Sequence, residues 1–204
     1  MITARRRIII PAAVLALGLL VGACSNSAGN AAVVGDQMVT EQTLDSQVTA
    51  VLTAQGAPAN KQDEQLVTTT LNWLIVMDLL EQVGADLDVT VTQGDIDREL
   101  ATETKSAGSK EALEDAYLKQ LVAPSQINDR IRFALLAQKV ASAVAPGAAT
   151  DQATAALVAA VVAKSKAVNP EVNPRYGTWD SENLQLAGVP SDLSTPLPTP
   201  AASN

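Results

Sequence analysis

The stretch from Gln62 to Val83 decides most of what this chain can become. Leu66, Leu71, Ile75, Leu79 and Val83 recur at helical spacing, and Trp73, Leu74, Val76, Met77 and Leu80 fill positions between them. A helix that is apolar around most of its circumference cannot lie with one face in water, so other elements must surround it. The fold class that follows is mainly α, with about six helices. Thr40 heads a first helix reaching about Gln55, with Leu44, Val48, Val51 and Leu52 on one face at i, i+4, i+7 and i+8. Gly56-Ala57-Pro58 stops it, and Gly84 is placed as the C′ residue of the apolar helix.

Four further helices are predicted downstream. Thr92 caps one running to about Ser106, with Asp95 in its first turn, where a carboxylate suits the helix dipole. Ser109 caps a short helix carrying Leu113, Ala116, Tyr117 and Leu121. Ala123-Pro124-Ser125 breaks the chain before a helix from about Gln126 to Val144, whose expected face is Ile127, Ile131, Ala134, Leu135 and Gln138, with Phe133, Leu136 and Val140 beside it. Thr150 is expected to cap a last helix that reaches about Ala167.

Short extended segments flank the helices. Ala31 to Val34 and Met38-Val39 straddle Gly35-Asp36, the pattern of a strand or small hairpin. Two Asn-Pro steps, at 169–170 and 173–174, favour extended backbone before each proline. A strand near Arg175 to Trp179 is therefore expected to return and pair with Ala32 to Val34. From Ser191 onward, proline, serine, threonine and alanine dominate, the composition of a disordered tail.

Ahead of the domain stand Arg5, Arg6 and Arg7, then an uncharged apolar run from Ile8 to Leu20, then Val21-Gly22-Ala23-Cys24. This is the layout of a secretory signal peptide, and its end resembles a bacterial lipobox. Cleavage before Cys24 and lipid attachment at that residue would hold the chain to a membrane on its extracytoplasmic face. The run is too short for a comfortable spanning helix. The expected organisation is a signal peptide at 1–23, a lipidated tether at 24–31, the helical domain at 32–180 and the tail at 181–204. Cys24 is the only cysteine, so no intrachain disulfide can form and packing must hold the domain together.

Charge and missing residue types exclude whole classes of function. The 204 residues carry 14 basic and 22 acidic side chains, a formal charge of −8, which becomes −11 when the three arginines of the signal segment are removed. Such a surface repels phosphate backbones, so nucleic acid is not an expected partner. The chain has no histidine, which rules out Ser-His-Asp and Cys-His catalysis and histidine-ligated zinc. No glycine-rich phosphate loop is present. Asp95, Asp97 and Glu99 form a dipole-complementing, solvated helix start, since a calcium loop also needs glycine and carbonyl ligands. Catalytic residues, metals and cofactors are not expected, and the chain reads as a non-enzyme.

Three segments in order resemble the N-terminal domain of SurA-type periplasmic chaperones and related foldase lipoproteins, with an actinobacterial flavour. They are Val33-Val34-Gly35-Asp36-Gln37-Met38-Val39-Thr40, then Val89-Thr90-Val91-Thr92-Gln93-Gly94-Asp95-Ile96-Asp97, and then the run from Lys110-Glu111-Ala112-Leu113 through Ser125 and Ile131 to Gln138-Lys139. The resemblance spans 32 to about 145. It implies a helical domain of the SurA N-terminal or trigger-factor-like kind that binds unfolded or newly secreted polypeptides. The parvulin prolyl isomerase domain of complete family members needs on the order of a hundred residues, more than Val168 to Asn204 can supply, so no isomerase activity is implied. A holding function needs an apolar surface larger than a monomer normally exposes. Trp73, Leu74, Met77 and Leu80 on the apolar helix are the candidate polypeptide-binding residues. The alternative is a structural or adaptor lipoprotein that docks one specific cell-envelope protein.

Overall fold

The computed structural model describes residues 29–58 and 63–188. The signal segment, Cys24, the start of the tether and the chain beyond Gly188 lie outside the described residues. The order is β1 (Asn30–Val34), β2 (Gln37–Thr40), α1 (Glu41–Ala54), α2 (Glu64–Asp86), α3 (Gln93–Ala107), α4 (Lys110–Leu118), α5 (Ile127–Val144), α6 (Thr150–Val168), β3 (Glu171–Val172), β4 (Thr178–Asp180) and β5 (Gln185–Ala187). The chain is mainly helical, with two small antiparallel sheets.

The apolar helix lies where its composition requires. α2 packs against α1, α5, α6 and β1, and Leu71, Ile75 and Leu79 are fully buried in the main core with Leu44, Val34 and Val140. Asp63 caps its start, its Oδ1 accepting from the Leu66 N–H at 3.0 Å, which satisfies one of the donors that a helix start leaves open. Gly84 does not end the helix. It is buried inside α2, and a Cβ there would stand 3.0 Å from Leu136 Cδ1 and 3.4 Å from the Val89 carbonyl. The glycine is a close-approach site for α5 and for the returning connector. The helix stops two residues later, where the Val89 N–H turns back to the Gly84 carbonyl at 2.8 Å and Asp88 adopts φ 54°.

A smaller core joins α3, α4 and α5 through Ile96, Val122, Ile127 and Ile131, with Leu100, Tyr117 and Leu135 against it. Here the expected faces shift. Leu121 falls beyond the end of α4 at φ 62° and is exposed, and Val122 takes the inward position. α5 packs against α2, α3 and α6 together, so its buried residues are Ile127, Ile131, Leu136 and Val140, while Ala134 and Gln138 face solvent. Thr150 is the first residue of α6 rather than its cap; Ala149 holds the cap position without a side-chain bond. Thr40, Thr92 and Ser109 do cap α1, α3 and α4 as their sequences predict.

β1 is the centre of the larger sheet. It pairs with β2 through Val34↔Gln37, Val33↔Met38 and Ala32↔Val39. On its other side it pairs with β3 through Ala32↔Val172 and Val33↔Glu171. The returning strand is thus Glu171–Val172 and not Arg175 to Trp179. Asn173 diverts the chain: its Oδ1 accepts from the Arg175 N–H at 3.2 Å, opening a 3-10 turn at Pro174–Tyr176. Trp179 then belongs to a separate hairpin with Thr178↔Ala187 and Asp180↔Gln185. Gly177 permits that hairpin, with φ 110° and the Ala187 carbonyl 2.1 Å from where a Cβ would sit.

Both expected domain edges move outward. Ala31, assigned to the tether, is fully buried in β1, and β5 (Gln185–Ala187) lies past the expected limit at residue 180. Side-chain bonds secure the added segment. Asn72 Oδ1 accepts from the Leu186 N–H at 2.9 Å, Asn72 Nδ2 donates to the Leu184 carbonyl at 3.3 Å, and Trp179 Nε1 donates to the buried Ser165 Oγ at 2.7 Å.

Candidate functional site

Packing divides the four residues selected from the apolar helix. Leu80 and Met77 are 2% and 8% exposed, so they belong to the interior and offer little to a ligand. Leu74 is half-buried against the main core. Trp73 is also half-buried, and it lines a surface recess. A continuous apolar patch built from all four is therefore not formed. Although three other helices and a sheet pack on α2, Thr68 and Thr69 stay exposed and Asn72, Trp73 and Val76 half-buried, and this margin of the helix carries the recess.

The Trp73 recess has a volume of about 440 Å³ and is bounded by Thr68, Thr69, Asn72, Trp73 and Val76 of α2 and by Gln185 and Leu186 of β5. It combines an aromatic wall and two aliphatic side chains with four polar ones. The guanidinium of Arg130 lies 3.9 Å from the centre of the indole ring, within the range of a cation–π contact. Indole Nε1 and Arg130 Nε are both covered from solvent and have no hydrogen-bond partner among the described residues. Burial also moves the Arg130 guanidinium down to about 10. Gln185 and Leu186 were not legible as site residues, since the sequence places them in the tail. The alternating Leu184 and Leu186 were the only local signal for a strand there.

A second recess of about 450 Å³ lies at the C-terminal half of α2. Asp78, Glu81, Gln82 and Ala85 line it from α2, Val89, Thr90 and Val91 from the connector, Arg132 and Leu136 from α5, and Gln37 from β2. Glu81 pairs with Arg132 at 3.1 Å, and Gln82 Nε2 donates to the Val34 carbonyl at 2.9 Å. Burial, with Glu81 next in weight, pushes the Asp78 carboxyl up to about 6. Sequence reading selected none of these residues. The available signal was a carboxylate at Asp78 set between Met77 and Leu79 in the most apolar run of the chain.

The acidic start of α3 is a helix cap. Asp95 accepts from the Thr92 N–H at 3.1 Å, from Lys139 Nζ at 2.7 Å and from Arg98 Nη1 at 3.2 Å. Lys139 and then Thr92 hold its carboxyl well below the usual carboxylate range. Among the described residues, no three His, Cys, Asp or Glu side chains are gathered to hold a metal ion. Among the same residues, no helix is long and apolar enough to cross a membrane. Neither the family models, nor the curated proteins, nor the solved structures compared with this chain give a match.

Proposed function

We propose that this chain is a lipid-anchored extracytoplasmic module that binds polypeptide segments without transforming them. The anchor is Cys24, and the clients are unfolded or newly secreted chains emerging near the membrane. The reading takes its class from three ordered segments that resemble motifs of SurA-type chaperones. The observation that carries it is the Trp73 recess: an indole wall, Val76 and Leu186 for apolar side chains, and Thr68, Thr69 and Gln185 for the peptide groups between them. Aromatic and aliphatic walls with scattered hydrogen-bonding groups suit an extended backbone of loosely specified sequence. No nucleotide step is involved; binding is reversible burial of apolar surface, at roughly 25 cal/mol per Å² before ordering costs.

One observation favours an adaptor for a single envelope protein as a second reading. Met77 and Leu80 are buried, and the exposed large apolar residues Met38, Leu87, Leu121 and Val158 are spread over separate segments. A small recess on an otherwise polar surface selects one partner more readily than it holds many. The two readings separate in one experiment. Residues 25 to 204 are mixed at stoichiometric ratio with several unrelated denatured proteins, and aggregation is followed by light scattering. Suppression across clients that is weakened by Val76→Asp supports holding. Failure with every client overturns holding and leaves the dedicated partner, to be sought by cross-linking in the membrane.

A further inference from the structure

The C-terminal half of α2 carries three carboxylates, and two of them have cations. Glu81 pairs with Arg132, and Asp86 pairs with Lys164. Asp78, half-buried one turn before Glu81 and lining the second recess, has no ion pair or hydrogen bond from its side chain to any described residue. A carboxylate held partly out of water without a counterion weakens the fold. A group of that kind lining a concave site is a candidate for binding work.

The surroundings narrow the ligand. Ala85, Val89, Val91 and Leu136 give the recess hydrocarbon walls. Gln82 spends its amide N–H on the Val34 carbonyl, which leaves Oε1 as an acceptor. On the rim, the Thr90 carbonyl already receives a lysine of this chain, Lys139 Nζ, at 2.9 Å. A point anion with one free amide acceptor and apolar sides complements an ammonium group on an aliphatic stem. A hard divalent cation is a poor fit, because it requires several oxygen ligands and the neighbouring carboxylate is engaged by Arg132. The excess of 22 acidic over 14 basic side chains draws cationic groups toward the surface.

We propose that the recess between α2, α5 and the connector after α2 receives a lysine side chain of a bound polypeptide, its methylenes against Val89, Val91 and Leu136 and its ammonium on Asp78. The proposal rests on the polypeptide-binding reading for the nature of its partner, but not on the Trp73 recess. It gives the module a preference among segments: apolar stretches carrying a lysine bind better than apolar stretches alone.

The test uses the full chain in phosphatidylcholine nanodiscs and two probes, Nα-acetyl-lysine methylamide and the same compound acetylated at Nε. Binding is titrated by saturation-transfer NMR against empty nanodiscs. The lysine probe is expected to bind, the Nε-acetylated probe to bind at least about tenfold more weakly, and Asp78→Asn to reduce the lysine probe to the level of the acetylated one. Equal binding of the two probes, no binding of the lysine probe, or an unchanged affinity in Asp78→Asn overturns the proposal. Lysine binding by a protein that suppresses no client's aggregation would refute the holding function and leave this recess standing. Suppression of aggregation without lysine binding would remove the recess alone.

Discussion

Replacing Asp78 with asparagine should stabilise the protein at neutral pH, an unusual outcome for a substitution inside the most apolar helix. The carboxyl of Asp78 is pushed from its ordinary 3.8 to about 6, by burial first and by Glu81 second. The unfolded chain therefore releases this proton before the folded one does. The contribution of Asp78 to folding is fully present below about pH 4 and is lost as pH rises through about 6. Two units correspond to about 3 kcal/mol, and because the side chain is only half-buried, solvent screening reduces the expectation to about 1–1.5 kcal/mol. Urea unfolding of residues 25 to 204 at pH 7.5 should move the midpoint of Asp78→Asn upward by about 0.5 M, for a slope near 2 kcal/mol per M. At pH 4 the two proteins should unfold at nearly the same midpoint. A variant less stable than the parent at pH 7.5, or a gain equally large at pH 4, would refute the account of a carboxylate left without a counterion.

Other substitutions test the packing. Leu79→Ala, at a fully buried position of α2, should cost about 2–5 kcal/mol in the same denaturation assay. Gly84→Ala should lower stability despite the better helix propensity of alanine, because its methyl meets Leu136 Cδ1 at 3.0 Å; a gain of about 1 kcal/mol would show that α5 gives way without cost. Ser165→Ala removes the acceptor of the Trp179 indole N–H and should cost about 1–3 kcal/mol, with a shift in Trp179 fluorescence. Lys139→Met should let the Asp95 carboxyl rise toward its ordinary value, read by NMR titration; an unmoved titration would show that Thr92 and Arg98 hold it down without the lysine.

Caps and periodicity make most of the architecture legible in the sequence. Thr40, Thr92 and Ser109 are short polar residues placed immediately before apolar repeats, and each accepts from a backbone N–H near the start of its helix. These signals are local, so one sequence contains them. The errors arose where tertiary contact outweighs local preference. Gly84 looks like a helix stop from its neighbours alone, and only the approach of Leu136 explains why it stays inside α2. Arg175 to Trp179 has the composition of one strand, yet Asn173 and Gly177 divide it into a turn and a hairpin edge. The helical period marks Trp73, Leu74, Met77 and Leu80 as apolar, but it cannot say which of them the surrounding helices leave uncovered. Gln185, Leu186 and Asp78 were missed for the same reason: their place in a recess depends on segments distant in sequence.

The central claim is that the module binds polypeptide through the Trp73 recess, and aggregation suppression with Trp73 as its own reporter tests it most directly. Trp179→Phe leaves Trp73 as the single indole of the chain, so its emission can be followed while unrelated denatured clients are added at stoichiometric ratio. The account predicts that emission shifts in step with suppression for several clients, and that Val76→Asp weakens both. Suppression with unchanged Trp73 emission would place binding elsewhere on the surface, and no suppression by any client would contradict the holding function itself.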